Sequence, residues 1–161
     1  VDELVIKLRK ICEAVVKTPT LEARNGVSWC NVACHMICLH MGYKKFEGLL
    51  ANQIYEVCSK DWKKVDPKWA MEYAVGGGLA IAALRGSPPG HVAMLVPETT
   101  MMYSGKWKTD CPLVANVGKR NGIMGSNFAF LKAPDYFICP KELIVSQTVQ
   151  EMHSLPKVEE A

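Results

Sequence analysis

Gly76-Gly77-Gly78-Leu79-Ala80-Ile81-Ala82-Ala83-Leu84 leads, after the turn residues Arg85 to Gly90, into His91-Val92-Ala93-Met94-Leu95-Val96. This is where the chain changes character. Both apolar runs are short and bounded by turn formers, which predicts two strands over 79–84 and 91–96. Val92, Met94 and Val96 should alternate with Ala93 and Leu95 across a sheet. The glycine triplet lacks the Lys-Ser/Thr of a phosphate loop and precedes a strand instead of following one. Its simpler role is a tight turn into the sheet.

Upstream, the periodicity is helical. Leu4, Val5, Leu8, Ile11, Cys12 and Val15 predict an amphipathic helix over 2–17, with Lys7, Arg9, Lys10 and Glu13 largely outside and Pro19 marking its end. Residues 18–27 read as a loop with an Asn25-Gly26 turn. A second helix runs from Cys30 to Met41, with Ser28 as its cap and Gly42 as its stop. A third is expected from Phe46 or Glu47 to Cys58. After a polar connection over 61–67, Asp66-Pro67 opens a short helix ending at residue 75. Downstream, 113–117 and 127–131 read as further strands, with weaker ones at 136–138 and 143–149. Helices first and a mostly antiparallel sheet second make an α+β fold. One domain is expected over 1–155, followed by a frayed tail at 156–161.

The 161 residues and their 49% hydrophobic content suit one sizeable core. The formal charge is +3 with scattered lysines, so no basic run points to nucleic acid. No apolar stretch reaches the roughly 18 residues of a membrane helix. The first residue is Val1, which points to a processed or trimmed product and leaves export open. Seven cysteines are an odd number, so at least one has no intrachain partner. Cys34 and Cys38 fall within a helical pattern and read as buried thiols; Cys111 and Cys139 are a candidate pair.

The chemistry centres on Cys30 and His91. A thiol in the first turn of a helix meets free amides and a field that favour its thiolate. The same amides can receive a tetrahedral oxyanion. His91, after Gly90 at a strand mouth, is placed to act as the base, and a third group should orient it. Asn116, polar among small apolar residues, is the first candidate for that group. Asn121 more simply supplies a turn conformation, and Asp110 is the third choice. The plain alternatives are a buried first-turn cysteine and a surface histidine beside a Pro-Pro-Gly turn.

A zinc site is the main rival. Cys30, Cys34 and Cys38 are successive i,i+4 residues, with His35 and His40 nearby, but no second compact ligand unit follows. His35 is a possible alternative base; His153 has no supporting motif. Among Trp29, Trp62, Trp69 and Trp107, only Trp29 stands next to the candidate nucleophile.

These residues resemble the NlpC/P60 and CHAP superfamily of papain-like cell-wall hydrolases. The resemblance spans roughly 26–131. It rests on Ser28-Trp29-Cys30-Asn31, Ala51-Asn52-Gln53, Trp69-Ala70 with Tyr73-Ala74, Gly78 to Ala83, Gly90 to Pro97, and Asn116-Val117-Gly118 with Asn121. Those families often carry Asn or Asp before the nucleophile; here Trp29 precedes it and Asn31 follows. The resemblance implies a papain-like fold and a cysteine amidase or endopeptidase acting on peptidoglycan peptides, at a γ-D-glutamyl or cross-link amide. Cys30, His91 and Asn116 would be catalytic, and Trp29, Asn31 and Gly90 would touch substrate. No metal or other cofactor is implied. An inhibitor or immunity protein is a candidate partner. The expected setting is secreted, periplasmic or delivered to a target cell. Two other readings stand beside it: a papain-like hydrolase of protein or lipid amides in a host cytoplasm, and a non-catalytic module binding the cell wall or a partner.

Overall fold

The computed structural model describes residues 3–87 and 90–145. Among these residues five helices, α1 (Glu3–Val16), α2 (Cys30–His40), α3 (Ala51–Asp61), α4 (Pro67–Val75) and α5 (Ser126–Ala129), surround one antiparallel sheet. Its strands are β1 (Lys63–Val65), β2 (Ala80–Leu84), β3 (His91–Leu95), β4 (Met101–Ser104), β5 (Thr109–Asn116), β6 (Gly122–Gly125) and β7 (Asp135–Ile138). The spatial order is β1-β7-β2-β3-β5-β4, and β6 pairs with β5. The result is a mixed α+β fold with helices packed against a curled antiparallel sheet.

Both faces of the central strands are covered, which is why their sequences are apolar throughout. Ile81, Ala83, Val92, Met94 and Val96 join the larger core with α1, α2 and α3. Ala80, Ala82, Ala93 and Leu95 face a second core with Ala70 and Ala74 of α4, Phe130 and Tyr136. The alternation expected along residues 92–96 therefore separates two cores. At the glycine triplet, Gly77 has φ +90°, and a Cβ at Gly78 would strike the Tyr73 ring. The triplet is thus a tight passage from α4 into β2.

Local chemistry explains most element ends. The Asp66 side chain accepts the Trp69 amide at 2.7 Å, capping α4 with Pro67 in its first turn. Gly42, at φ +94°, follows the end of α2. Asn25 and Gly26 both have positive φ between the paired residues Arg24 and Val27, a hairpin turn of the primed kind.

Several expectations are corrected. The third helix starts at Ala51, not near residue 46, because Phe46 is fully buried against Tyr43 and Trp62 in an aromatic cluster, with ring centroids 5.0–5.4 Å apart. The polar 61–67 connection contains β1, which pairs with β7. The segment expected to be a strand at 127–131 opens instead with α5, and the neighbour of β5 is β6. The strand expected at 113–117 is the second half of a longer one whose first half pairs with β4. Cys111 and Cys139 are both free, as are the other five cysteines. Of the 143–149 candidate, the described part is a 3-10 turn at Lys141–Leu143 and extended residues after it. Asp2, Pro88, Pro89, His153 and the 156–161 tail lie outside the described residues. Among the described residues, no helix is long and apolar enough to cross a membrane.

Candidate functional site

Cys30 is the first residue of α2. The expected cap does not form: Trp29 occupies the N-cap position and no side chain caps the helix. The first intrahelical bond runs from Ala33 N–H to Trp29 O at 3.0 Å. The preceding amides are therefore left without helical partners. The Cys30 side chain is nearly buried, at 6% exposure, and burial raises its thiol above the ordinary 9.0. Backbone N–H groups of Val92, Asn31 and Cys30 itself favour the thiolate and offset part of that rise. The Val92 amide belongs to the residue after His91, so the thiol rests against the start of β3.

His91 opens β3 and is half-buried. Its Nε2 lies 2.7 Å from Asn116 Oδ1. Asn116, 4% exposed at the end of β5, donates from Nδ2 to the Arg120 carbonyl at 2.7 Å. That second bond determines the orientation of the amide. With its NH2 committed to a carbonyl, only its oxygen is left to face the ring. Nε2 therefore carries the imidazole proton, and Nδ1 holds the free lone pair in the neutral ring. Burial lowers His91 below its ordinary 6.5, and the Asn116 bond partly restores it. Near pH 7 the thiol and the imidazole are both neutral.

Around His91 and Asn116 lies a cleft of about 400 Å³. Its lining includes His91, Asn116, Gly90 and Ser28, the 118–120 loop, and residues 128–131. Phe130 stands against the His91 ring with centroids 4.7 Å apart. Cys30 does not line the cleft; Ser28, two residues earlier, does. His91 and Asn116 thus come together directly, whereas Cys30 lies in the core that α1, α2 and α3 form with Val92.

The remaining candidates have assignable contacts. Trp29 is 37% exposed and lies outside the cleft lining. Asn31 donates to the Leu49 carbonyl at 2.9 Å, tying the loop before α3 to α2. Gly90 is required by space: a Cβ there would run into Asn52 Oδ1 and come within 2.8 Å of the Leu84 carbonyl. Asn121 does not have positive φ. Instead its Oδ1 accepts the Gly118 amide at 2.9 Å and its Nδ2 donates to Leu21 O at 2.9 Å. Asp110 is exposed and pairs with Tyr103 across β4–β5, away from the His91 cleft. His35 is held low by burial, with Nδ1 buried and without a hydrogen-bond partner. Cys34 and Cys38 are core thiols, and Cys38 Sγ contacts Met94 Sδ at 3.7 Å. Among the described residues, no three His, Cys, Asp or Glu side chains form a group able to hold a metal ion.

Sequence reasoning missed several contributors. Asn52 clamps the β2–β3 turn, donating to Gly86 O at 2.8 Å and accepting from Gly86 N at 3.2 Å. Gly118 keeps space beside the His91 ring, and the Arg120 carbonyl orients Asn116. These roles depend on backbone groups, which no side-chain pattern announces. No protein-family model and no curated protein matches the chain.

Proposed function

We propose that the protein is a cysteine hydrolase of amide bonds, papain-like in the manner of the NlpC/P60 and CHAP superfamily, with peptidoglycan peptides as substrate. The observation that carries this reading is the chain Arg120 carbonyl–Asn116–His91, which presents an unprotonated Nδ1 at the start of the strand the Cys30 thiol touches. An orienting amide on the imidazole is what a histidine base in such a triad requires.

In the proposed reaction, substrate binding brings the Cys30 thiol and the His91 imidazole within proton-transfer range at the start of β3. The thiol proton passes to His91 Nδ1 as Sγ attacks the amide carbonyl. The uncapped amides at the start of α2 receive the oxyanion. Collapse of the tetrahedral intermediate breaks the C–N bond, and the His91 proton leaves with the amine. A water then gives its proton to Nδ1 and attacks the thioester, releasing the acid and restoring the thiol. Because both groups rest neutral, His91 works as a general base rather than as half of a preformed ion pair. No cofactor enters this sequence.

Digestion of purified peptidoglycan, with mass analysis of the fragments, tests the reading. New amine termini are expected from the wild type and not from Cys30→Ala or His91→Ala, both still folded. Their absence from the wild type would defeat it. The burial of Cys30 favours a second reading, a binding module on the same scaffold. That reading predicts wall or partner binding without turnover, undiminished in Cys30→Ala.

A further inference from the structure

The loop between β5 and β6 is braced more heavily than a connection of its length requires. Asn116 Nδ2 holds the Arg120 carbonyl at 2.7 Å, Asn121 Oδ1 holds the Gly118 amide at 2.9 Å, and Asn121 Nδ2 reaches Leu21 O at 2.9 Å. Two side chains and three backbone groups thus secure a short segment whose exposed tip is Lys119-Arg120. Both tip residues line the same cleft as His91. Neither has a carboxylate partner among the described residues, and no described residue lining the cleft is Asp or Glu. The same cleft is also lined by exposed apolar side chains: Phe128 is 60% exposed and Leu131 89%. An unpaired cation pair that shares a concave site with exposed apolar side chains suits a ligand that carries both an anionic group and apolar surface.

We propose that Lys119 and Arg120 form a specificity subsite for a carboxylate carried by the substrate close to the scissile amide. The inference rests on the hydrolase reading of the same cleft. A space of about 400 Å³ is about 9 Å across, the span of two to three extended residues at about 3.4 Å each. The carboxylate therefore belongs to the residue bearing the scissile bond or to one of its immediate neighbours. Arg120 offers a planar fork suited to a bidentate carboxylate contact, and Lys119 a second charge of the same sign. Because Asn116 bonds the Arg120 backbone and the His91 ring together, the charge-reading loop and the base move as one unit.

The probes are an L-alanyl-γ-D-glutamyl-L-lysine peptide with its glutamyl α-carboxylate free and the same peptide with that group amidated. Binding of each to Cys30→Ala is measured by calorimetry, and turnover of each by the wild type, at low and high salt. The free carboxylate should bind at least fivefold more tightly, with the difference shrinking as salt rises. Lys119→Met/Arg120→Met should bring the binding ratio close to one, and Arg120→Lys, which keeps the charge, should retain most of it. Equal binding of both peptides to Cys30→Ala would overturn the subsite. So would a ratio that survives the double substitution. Failure of the wild type to cleave either peptide would count against the hydrolase reading, while the binding ratio still decides the subsite. Both substituted side chains are exposed and the bracing bonds use the Arg120 backbone, so the fold should persist.

Discussion

A Cβ placed on Gly118 would lie 3.3 Å from His91 Cε1. Gly118 also sits 3.7 Å by the same measure from Asn116 Nδ2. Its φ is not in the left-handed region, so the glycine serves space and not backbone freedom. Gly118→Ala should therefore fold normally and push the imidazole by a few tenths of an ångström. On the proposed mechanism kcat falls by up to about tenfold with KM little changed, since misplacement of a base acts on the reacting geometry. Steady-state kinetics beside a thermal melt will show it; an unchanged kcat would mean that the ring position is not critical.

Asn116 controls both the orientation and the proton affinity of His91. Its bond raises the His91 pKa against the lowering by burial. Removing it with Asn116→Ala should lower that pKa further, so the acid limb of the kcat/KM profile moves to lower pH while kcat drops on the order of 10- to 10²-fold. Asn116→Asp places a carboxylate at the ring and should move the limb to higher pH. A purely structural Asn116 would change stability in both variants without moving the limb in opposite directions.

The β2–β3 turn offers a double-substitution test. Gly90→Ala drives a methyl into Asn52 Oδ1 and toward the Leu84 carbonyl, and should cost about 1–3 kcal/mol by overpacking. Asn52→Ala loses the two bonds to Gly86 and should cost about 1 kcal/mol. Together they should cost less than their sum, because the first substitution no longer meets the second side chain. Denaturant melts of the four proteins measure the coupling; strict additivity would show that the turn relaxes elsewhere.

The buried thiols set an alkaline limit on the fold. Burial pushes Cys12 and Cys139 up to about 12, and Cys34, Cys38 and Cys58 are also raised from 9.0. Above pH 9 the unfolded chain loses thiol protons that the folded chain keeps, so the folded state binds more protons and stability falls as pH rises. Each such thiol contributes about 1.4 kcal/mol per pH unit across that window. His91 and His35 act at the other end. Both are lowered by burial, so the unfolded chain binds more protons just below pH 6.5 and stability falls as pH drops through that value. Melting temperatures should peak between about pH 6.5 and 9; a plateau reaching pH 11 would contradict the thiol argument.

The α+β organisation was legible because it is written in local periodicity. The 3.6-residue repeat of α1 and the apolar runs of β2 and β3 follow from side-chain spacing alone. Asp66-Pro67 and Asn25-Gly26 acted through their own backbone chemistry and were correctly placed for the same reason. Phe46 was not legible: it fits a helical pattern, but packing with Tyr43 and Trp62 holds it in a loop. The 127–131 segment failed likewise. Its apolar residues suit either element, and β6 had already taken the free edge of β5.

Of the candidate site, sequence alone determined that a thiol stands at a helix start, an imidazole at a strand start and an amide at a later strand end. Those are local properties of residue type and position. Only the tertiary structure decided that His91 and Asn116 meet, because their contact joins strands 25 residues apart. It also decided which ring nitrogen is free, because that depends on the Arg120 carbonyl. The burial of Cys30 beneath the start of β3 is of the same kind. It arises where α2 packs on the sheet, and no feature of Ser28-Trp29-Cys30-Asn31 encodes it.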